Sequence, residues 1–229
     1  MLRTCAIHQP NFMPWLGYFY KIANADVFVI LDNVDILTGS AKAITNRTKI
    51  KTPNGEQWLT VPIKKGESKA ICDIKIQNTN WRVKLLKTIH QNYAKAKYFN
   101  EIFPLIEELV HFQTNQLSEY NTNIIKALCK YFNIETELLI ASEFANLSTE
   151  RNQRIIDICN TANCSIYLSG KGGTKYHDIV MFSKNNIQIQ VTDFTHPVYT
   201  QLYGDFISGL SVLDYLFNCK NNLYATKNL

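Results

Sequence analysis

The sequence predicts an α/β fold: a Rossmann-like, mostly parallel sheet with flanking helices, a β-rich insertion after the second strand and a helical middle segment. Three observations support this prediction. A strand at residues 4–8, a helix at 15–23 and a strand at 27–31 follow one another in the order of a βαβ unit. The second strand, VFVIL, is entirely apolar, as expected when both faces are covered. From residue 138 onwards, strand and helix patterns alternate, which is typical of a parallel sheet.

The predicted β insertion follows the βαβ unit. Residues 44–51 and 58–63 have strand patterns, and Pro53-Asn54-Gly55 lies between them. Asn and Gly tolerate the positive φ angles of tight turns, so this stretch predicts a hairpin. Ile71, Ile74 and Ile76 favour one further short strand.

The middle of the chain has the pattern of three helices. Asn80 is a suitable N-cap for a helix that runs to residue 96. Asn100 is the predicted cap of a second helix, with Pro104 near its start, and a third helix covers residues 117–132.

The C-terminal half completes the predicted sheet. Ser148 is the expected cap of the first helix in this half. The predicted elements are a strand at 138–141, a helix at 148–161, a strand at 165–169, a short helix to 183, a strand at 187–191 and a helix at 211–219.

The composition is that of a globular protein. The 229 residues are 46% hydrophobic and 19% charged, which suits one domain over residues 1–229. It can be subdivided into an N-terminal βαβ unit with its insertion (1–78), a helical segment (79–135) and a C-terminal αβ half (136–229). No apolar run is long enough to span a membrane, and the N-terminus lacks the pattern of a signal peptide. We therefore expect a cytoplasmic protein without a membrane span.

Cysteine spacing and net charge restrict the classes of ligand. The six cysteines form no C-x-x-C pair, so we expect buried thiols in a reducing compartment and no metal site. The net charge is +5, and the densest basic stretch runs from Lys42 to Lys65. This moderate excess favours a solvated face or a small anionic substrate, such as a nucleotide, over a long nucleic acid. The oligomeric state is left open.

The first candidate site is the turn after the first strand. His8, Gln9 and Asn11 follow that strand directly, and Trp15 and Tyr18 begin the next helix. Ligands of open α/β sheets bind outside the carboxyl ends of strands, so this turn is a predicted site, with His8 as a base or phosphate donor. In the alternative reading, the two aromatic rings belong to the core and His8 bonds a backbone carbonyl.

Two further candidates follow the second strand. Asp32, in the turn Asp32-Asn33-Val34-Asp35, can orient a hydroxyl or a base, or simply stabilise the turn. Arg47 and Lys51 share one face of the next strand and suit a phosphate or carboxylate, although such charged faces are often only solvated.

The last two candidates lie in the C-terminal half. The turn Ser169-Gly170-Lys171-Gly172-Gly173 follows a strand, and its backbone N–H groups can approach an anion. It is neither a Walker A loop nor a G-x-G-x-x-G turn, and Tyr176, His177 and Asp178 follow closely and can line the same pocket. His196 precedes Pro197, which holds the histidine extended, and Tyr199 is near it in sequence. A structural role for His196 is the alternative.

These stretches together resemble the WbqC-like family. The resemblance covers most of the chain in the family's order: HQPNFMPWLGYFYKIANADVFVILDNVD, NRTKIKTPNGEQWLTVPI, NWRVKLLKTIHQNYAKAKYF, YLSGKGGTKYHD and DFTHPVYTQLYGDFISGLSVLDYLFNC. The sequence has Asp32-Asn33 where an Asp-Asp turn is expected of the family. A weaker similarity links the N-terminal unit to nucleotidyl-transferring Rossmann-like domains and pantoate ligase, but their H-x-G-H signature is absent.

The resemblance implies an enzyme of O-antigen-type surface-polysaccharide biosynthesis. It suggests a transferase that joins glycine or another acyl group by an amide to a nucleotide-linked amino sugar. We expect His8 or His196 to act as the base, Asp32 to orient it or a hydroxyl, and Arg47, Lys51 and the glycine-rich turn to hold phosphate. The alternatives are an ATP- and Mg²⁺-dependent nucleotidyl transferase or ligase, and a non-catalytic sugar-nucleotide-binding module. No organic cofactor is implied.

Overall fold

The computed structural model describes residues 2–40, 43–64, 66 and 68–220, so Lys42 and Lys65 of the basic stretch lie outside the described residues. The predicted α/β fold is confirmed. Five parallel strands form one sheet in the order β5-β2-β1-β6-β7. Their bounds are Thr4–His8 (β1), Val27–Ile30 (β2), Glu137–Ile140 (β5), Ile166–Ser169 (β6) and Gln188–Val191 (β7).

Helices cover both faces of this sheet. One hydrophobic cluster packs Ala6 and Phe28 of the sheet against α1, α2, α3, α4 and α7. The other packs Cys5 and Val27, which point to the opposite face, against α5 and α6. The helices are α1 (Leu16–Ala23), α2 (Trp81–Tyr93), α3 (Phe99–His111), α4 (Leu117–Tyr131), α5 (Arg151–Thr161), α6 (Ile179–Lys184) and α7 (Val212–Cys219).

The predicted hairpin is confirmed as a separate two-stranded sheet. It consists of β3 (Arg47–Thr52) and β4 (Gly55–Thr60), which pair antiparallel. The turn is Pro53-Asn54, and Gly55 has a φ of 96°, which a side chain would strain. Both strands lie closer to the turn than their apolar patterns indicated, because pairing starts at the turn.

Three local predictions were wrong. Ile71–Asp73 is a 3₁₀ turn, and Ile76 makes only an isolated bridge to Ile63, so Ile71, Ile74 and Ile76 are not a strand. The cap of α5 is Glu150 and not Ser148, since the Glu150 carboxylate accepts from the N–H groups of Asn152 and Gln153. The second middle helix begins at Phe99, before Asn100.

The loop between β1 and α1 is fixed by hydrogen bonds to its backbone carbonyls. The Asn121 amide on α4 donates to the carbonyls of Pro10 (2.8 Å) and Thr45 (2.7 Å). The Ser211 hydroxyl donates to the Met13 carbonyl at 2.7 Å. Met13 has a φ of 41°, a strained conformation for a side-chain-bearing residue, so these bonds hold the loop in a shape it would not adopt alone.

None of the described helices combines the length and the apolar character that crossing a membrane requires.

Replacing Asn121 by Leu should lower the free energy of unfolding by about 1–3 kcal/mol, because the Pro10 carbonyl loses its donor, whereas the Thr45 carbonyl keeps the Phe12 N–H. Denaturant unfolding followed by circular dichroism measures this loss. The matched control is Asn185→Leu: Asn185 is exposed, and its amide donates to the Met181 carbonyl in α6. The control should change stability by less than about 0.5 kcal/mol. Equal losses in the two variants would contradict a special role for Asn121.

Candidate functional site

A cleft of about 480 Å³ opens at the carboxyl ends of β1 and β6. These strands are neighbours, but the chain leaves β1 towards β2 on one side and leaves β6 towards β7 on the other. The crevice between them is the switch point, where open α/β sheets bind ligands. The predicted site residues that line it are His8, Trp15, Tyr18, Ser169, Gly170, Lys171, Gly172 and Gly173.

The cleft lining is cationic. Lys21, Arg151 and Lys171 contribute to it, and among the described lining residues there is no Asp or Glu. Lys171 pairs with Asp193 at 3.2 Å, but both side chains are solvent-exposed, so the pair neutralises little of the charge inside. The arrangement suits a negatively charged ligand.

Lys21 is the buried member of this set. It is 6% exposed, and its Nζ donates to the Ile7 carbonyl at 2.9 Å. It forms no ion pair with another described residue, and burial lowers its pKa to about 8. The buried ammonium group of Lys21 is poorly solvated by water. An anion bound in the cleft would stabilise this positive charge.

His8 occupies the β1 side of the cleft. Its ring makes edge contacts with Trp15 and Tyr18, and its Nδ1 lies 3.2 Å from the Gln9 carbonyl. Burial, with the Lys21 charge as a second cause, lowers its pKa to about 4. At neutral pH the imidazole is therefore uncharged. When Nδ1 carries the proton and donates to Gln9, Nε2 presents its lone pair as a base.

Ser169 and His177 meet on the β6 side. The Ser169 Oγ lies 2.7 Å from the His177 Nε2, and both residues line the cleft. Burial lowers the pKa of His177, and the charges of Arg151 and Lys21 lower it further. This ring is therefore also uncharged at neutral pH.

Gly17 brings the remaining rings of the cleft together. A Cβ at this position would lie 2.6 Å from the Trp15 Nε1 and 2.8 Å from the Phe194 ring. Trp15 and Phe194 both line the cleft, so the absence of a side chain at residue 17 sets its shape.

The neighbouring predicted residues border the cleft. The Asn11 Nδ2 lies 3.5 Å from the His8 Nδ1, although Asn11 itself lines an adjacent pocket. The Gln9 side chain accepts from Thr45 at 3.4 Å. Tyr176 is half exposed, and the Arg151 guanidinium covers its ring at 4.6 Å.

Asp32 lies in a different cavity, of about 370 Å³, at the ends of β2 and β5. Its carboxylate accepts from the Ser118 hydroxyl at 3.0 Å and from the Ser142 N–H and hydroxyl at 2.9 Å each. These bonds join α4 to the turn after β5. Asp32 therefore stabilises the fold in this region, and it lies apart from the residues of the cationic cleft.

Arg47 also lies outside the cleft. Its Nε donates to the Ala43 carbonyl at 2.7 Å, a second nitrogen contacts the Ser40 carbonyl, and the guanidinium lies 4.1 Å from the centre of the Trp58 ring. These contacts join Ser40 and Ala43 to the start of β3.

Lys51 and Tyr199 belong to a buried polar network. The Lys51 Nζ donates to Gln201 at 3.1 Å and to the carbonyls of Gly204 and Asp205. The Tyr199 hydroxyl donates to the Asp214 carboxylate at 2.9 Å. The network anchors the segment that follows β7 on α7.

His196 lies in the same segment, and its Nδ1 is 3.0 Å from the Pro197 carbonyl. Its ring packs among Phe194, Tyr199 and Phe206 and is not among the described residues that line the cleft. Earlier in the same segment, Thr192 and Phe194 line the cleft.

Comparison with known proteins identifies the family. The model of the WbqC-like protein family matches residues 9–225, nearly the whole chain. The chain belongs to the WbqC-like protein family. A relative of this WbqC-like protein is the uncharacterised protein Rv1507c of Mycobacterium tuberculosis, which is 32% identical over 221 residues, covering 95% of this chain and 94% of the relative. No solved structure matches.

The structure adds residues to the cleft of this WbqC-like protein that the sequence patterns did not single out. Lys21 was missed because it lies within an apolar helical stretch, where a lysine is ordinarily exposed at the helix edge. Arg151 was missed because it begins a helix remote in sequence. His177, by contrast, was expected near the glycine-rich turn, and it lines the cleft. No group of three or more His, Cys, Asp or Glu that could hold a metal ion occurs in the described part of the chain.

Lys21→Met should make the protein more stable and less able to bind anions. At pH 7 the folded state holds a buried charge, so its removal should add about 1–3 kcal/mol to the free energy of unfolding. The pKa of Lys21 in the folded protein lies below its ordinary value of 10.5, so the wild type should gain stability as the pH rises from about 8 to 10.5. Denaturant unfolding across this range measures both effects. The control variant is Lys87→Met, because Lys87 is exposed. A lower stability of Lys21→Met than of the wild type at pH 7 would contradict the interpretation.

Gly17→Ala should distort the cleft. Ala is the better helix former by about 1 kcal/mol, but the clash with Trp15 and Phe194 should outweigh this and lower stability by about 1–3 kcal/mol in total. Denaturant unfolding followed by circular dichroism measures this loss. Gly172→Ala is the matched control, because a Cβ at residue 172 meets no atom within 4 Å. Wild-type behaviour of Gly17→Ala would show that the rings adapt freely.

Proposed function

We propose that this WbqC-like protein is a transferase of surface-polysaccharide biosynthesis that joins glycine or another acyl group by an amide to a nucleotide-linked amino sugar. The observation that carries this proposal is the buried Lys21 in a cleft with no acidic lining residue among those described. The family's name and the resemblance support the pathway. The cleft supports the substrate class.

The charges and rings of the cleft fit a nucleotide-linked substrate. A diphosphate would neutralise Lys21, Arg151 and Lys171, and the Arg151 guanidinium offers paired donors that match phosphate oxygens. Trp15 and Phe194 provide flat apolar surfaces for a base or a sugar ring. A volume of about 480 Å³ is within the usual range of ligand pockets.

The groups that can accept a proton also lie in this cleft. Amide formation requires an uncharged amine, and a base whose pKa lies near the working pH removes its proton most effectively. Lys21, with a pKa of about 8, is better matched to this task than His8, with a pKa of about 4. We therefore assign Lys21 the initial deprotonation of the ammonium group, and His8 a hydrogen bond to the substrate through its uncharged ring.

The proposal is tested by thermal shift with UDP-glucosamine, UDP, glucosamine and ATP with Mg²⁺. A nucleotide ligand at one hundred times its dissociation constant should stabilise the protein by about 2.7 kcal/mol. We expect UDP-glucosamine and UDP to stabilise the wild type and Lys87→Met, and to have little effect on Lys21→Met.

Each other outcome has a defined meaning. Stabilisation by ATP with Mg²⁺ alone would replace the proposal with the nucleotidyl transferase or ligase alternative. Binding of UDP-glucosamine without turnover by any activated acyl donor would favour the non-catalytic module. If no nucleotide stabilised the protein, or if Lys21→Met bound as well as the wild type, the assignment of the cleft would be overturned.

A further inference from the structure

The pair formed by Ser169 and His177 has the geometry of a nucleophile and its base. The 2.7 Å between Oγ and Nε2 is the distance of a strong hydrogen bond, within which a proton can pass. Ser169 is the last residue of β6, so the pair stands at the carboxyl end of a central strand. Both side chains line the cationic cleft, where an acyl donor with a negatively charged leaving group would bind.

The glycine-rich turn leaves room for this pair. A Cβ at Gly173 would lie 2.9 Å from the Ser169 Oγ and 3.2 Å from the His177 Nε2. At Gly170 and Gly172, by contrast, a Cβ would meet no atom within 4 Å. Of the three glycines in this turn, only Gly173 is therefore required by the packing of the pair.

His177 can act as the base when its ring proton is on Nδ1, which leaves the Nε2 lone pair facing the Ser169 Oγ. Its lowered pKa keeps the ring uncharged at neutral pH, so one ring nitrogen holds a free lone pair. Its Nδ1 has no hydrogen-bond partner among the described residues, and the neighbouring Asp178 carboxylate is engaged in capping α6 through the Met181 N–H. The unit is thus a pair and not a triad, with the orientation of the ring set by its contacts with Tyr167 and Phe182.

We propose that the acyl group is carried covalently on Ser169, with His177 as its base, an inference that rests on the transferase function proposed above. Oγ forms a bond to the carbonyl carbon of an activated acyl donor, and Nε2 takes the hydroxyl proton. The bond to the leaving group breaks, and the leaving group departs with the electron pair and receives that proton. The amine then attacks the serine ester, its proton passes through Nε2 to Oγ, and the amide and free Ser169 result.

The covalent step can be tested without the natural donor by using p-nitrophenyl acetate. Attack by Ser169 releases p-nitrophenolate and leaves one acetyl group on the protein, which intact mass and peptide mapping locate. We expect the label on Ser169 of the wild type and none at this position in Ser169→Ala. His177→Asn should slow labelling about a hundredfold. In the wild type, the labelling rate should rise with pH through the lowered pKa of His177 and level off by neutral pH.

The glycine variants distinguish the geometry of the pair from a merely structural role. Gly173→Ala should slow labelling about a hundredfold, because the new Cβ separates Oγ from Nε2. Gly66→Ala should label at the wild-type rate, because Gly66 does not line the cleft and a Cβ there meets no atom within 4 Å. Labelling of another residue only, no labelling of the wild type, or equal rates in the two glycine variants would each overturn the covalent role.

The two proposals fail separately in these experiments. Stabilisation by UDP-glucosamine depends on Lys21 and should persist in Ser169→Ala, which also shows that this variant is folded. Persistent nucleotide binding without acetyl-Ser169 would overturn the covalent step and leave the transferase proposal in place. Acetylation of Ser169 without any nucleotide binding would instead overturn the substrate assignment.

Discussion

The shape of the cleft depends on how the loop between β1 and α1 is held. Its carbonyls bind donors from three elements distant in sequence: the Asn121 amide of α4, the Thr48 hydroxyl of β3 and the Ser211 hydroxyl at the start of α7. Because buried carbonyls must be paired, these bonds tie the hairpin and two helices to the end of the central strand. Through them, His8 and α1 reach the same crevice as β6.

The two cavities at the carboxyl edge of the sheet differ in electrostatic character. The cleft between β1 and β6 gathers cations, while the cavity near Asp32 contains Glu119 and Glu143 beside one lysine. The Asp32 carboxylate accepts hydrogen bonds from Ser118 and Ser142, whereas Lys21 forms no ion pair with another residue in the described ranges. Such a buried lysine costs stability, which is the usual pattern at sites organised for a ligand and not for folding alone.

Local patterns predicted the helices and strands well where the apolar residues follow a single clear pattern along the chain. The run Val27–Ile30 is buried on both sides, as its continuous apolar pattern predicted. The isoleucines at 71, 74 and 76 misled the assignment. They are buried by contact with α4 and not by strand pairing, and apolar periodicity does not distinguish these two causes.

By itself the sequence determined the sheet, its flanking helices, the hairpin and the turns that follow β1 and β6, because each depends on residues close in the chain. Only the tertiary structure decided which turns meet. Parallel neighbours end at the same edge, so His8 and Ser169 share a crevice, while Asp32, Arg47, Lys51 and His196 are held elsewhere. The burial of Lys21 and the hydrogen bond between His177 and Ser169 also arise only in the tertiary structure. Burial and distance arise from contacts across the whole chain, which local spacing does not encode.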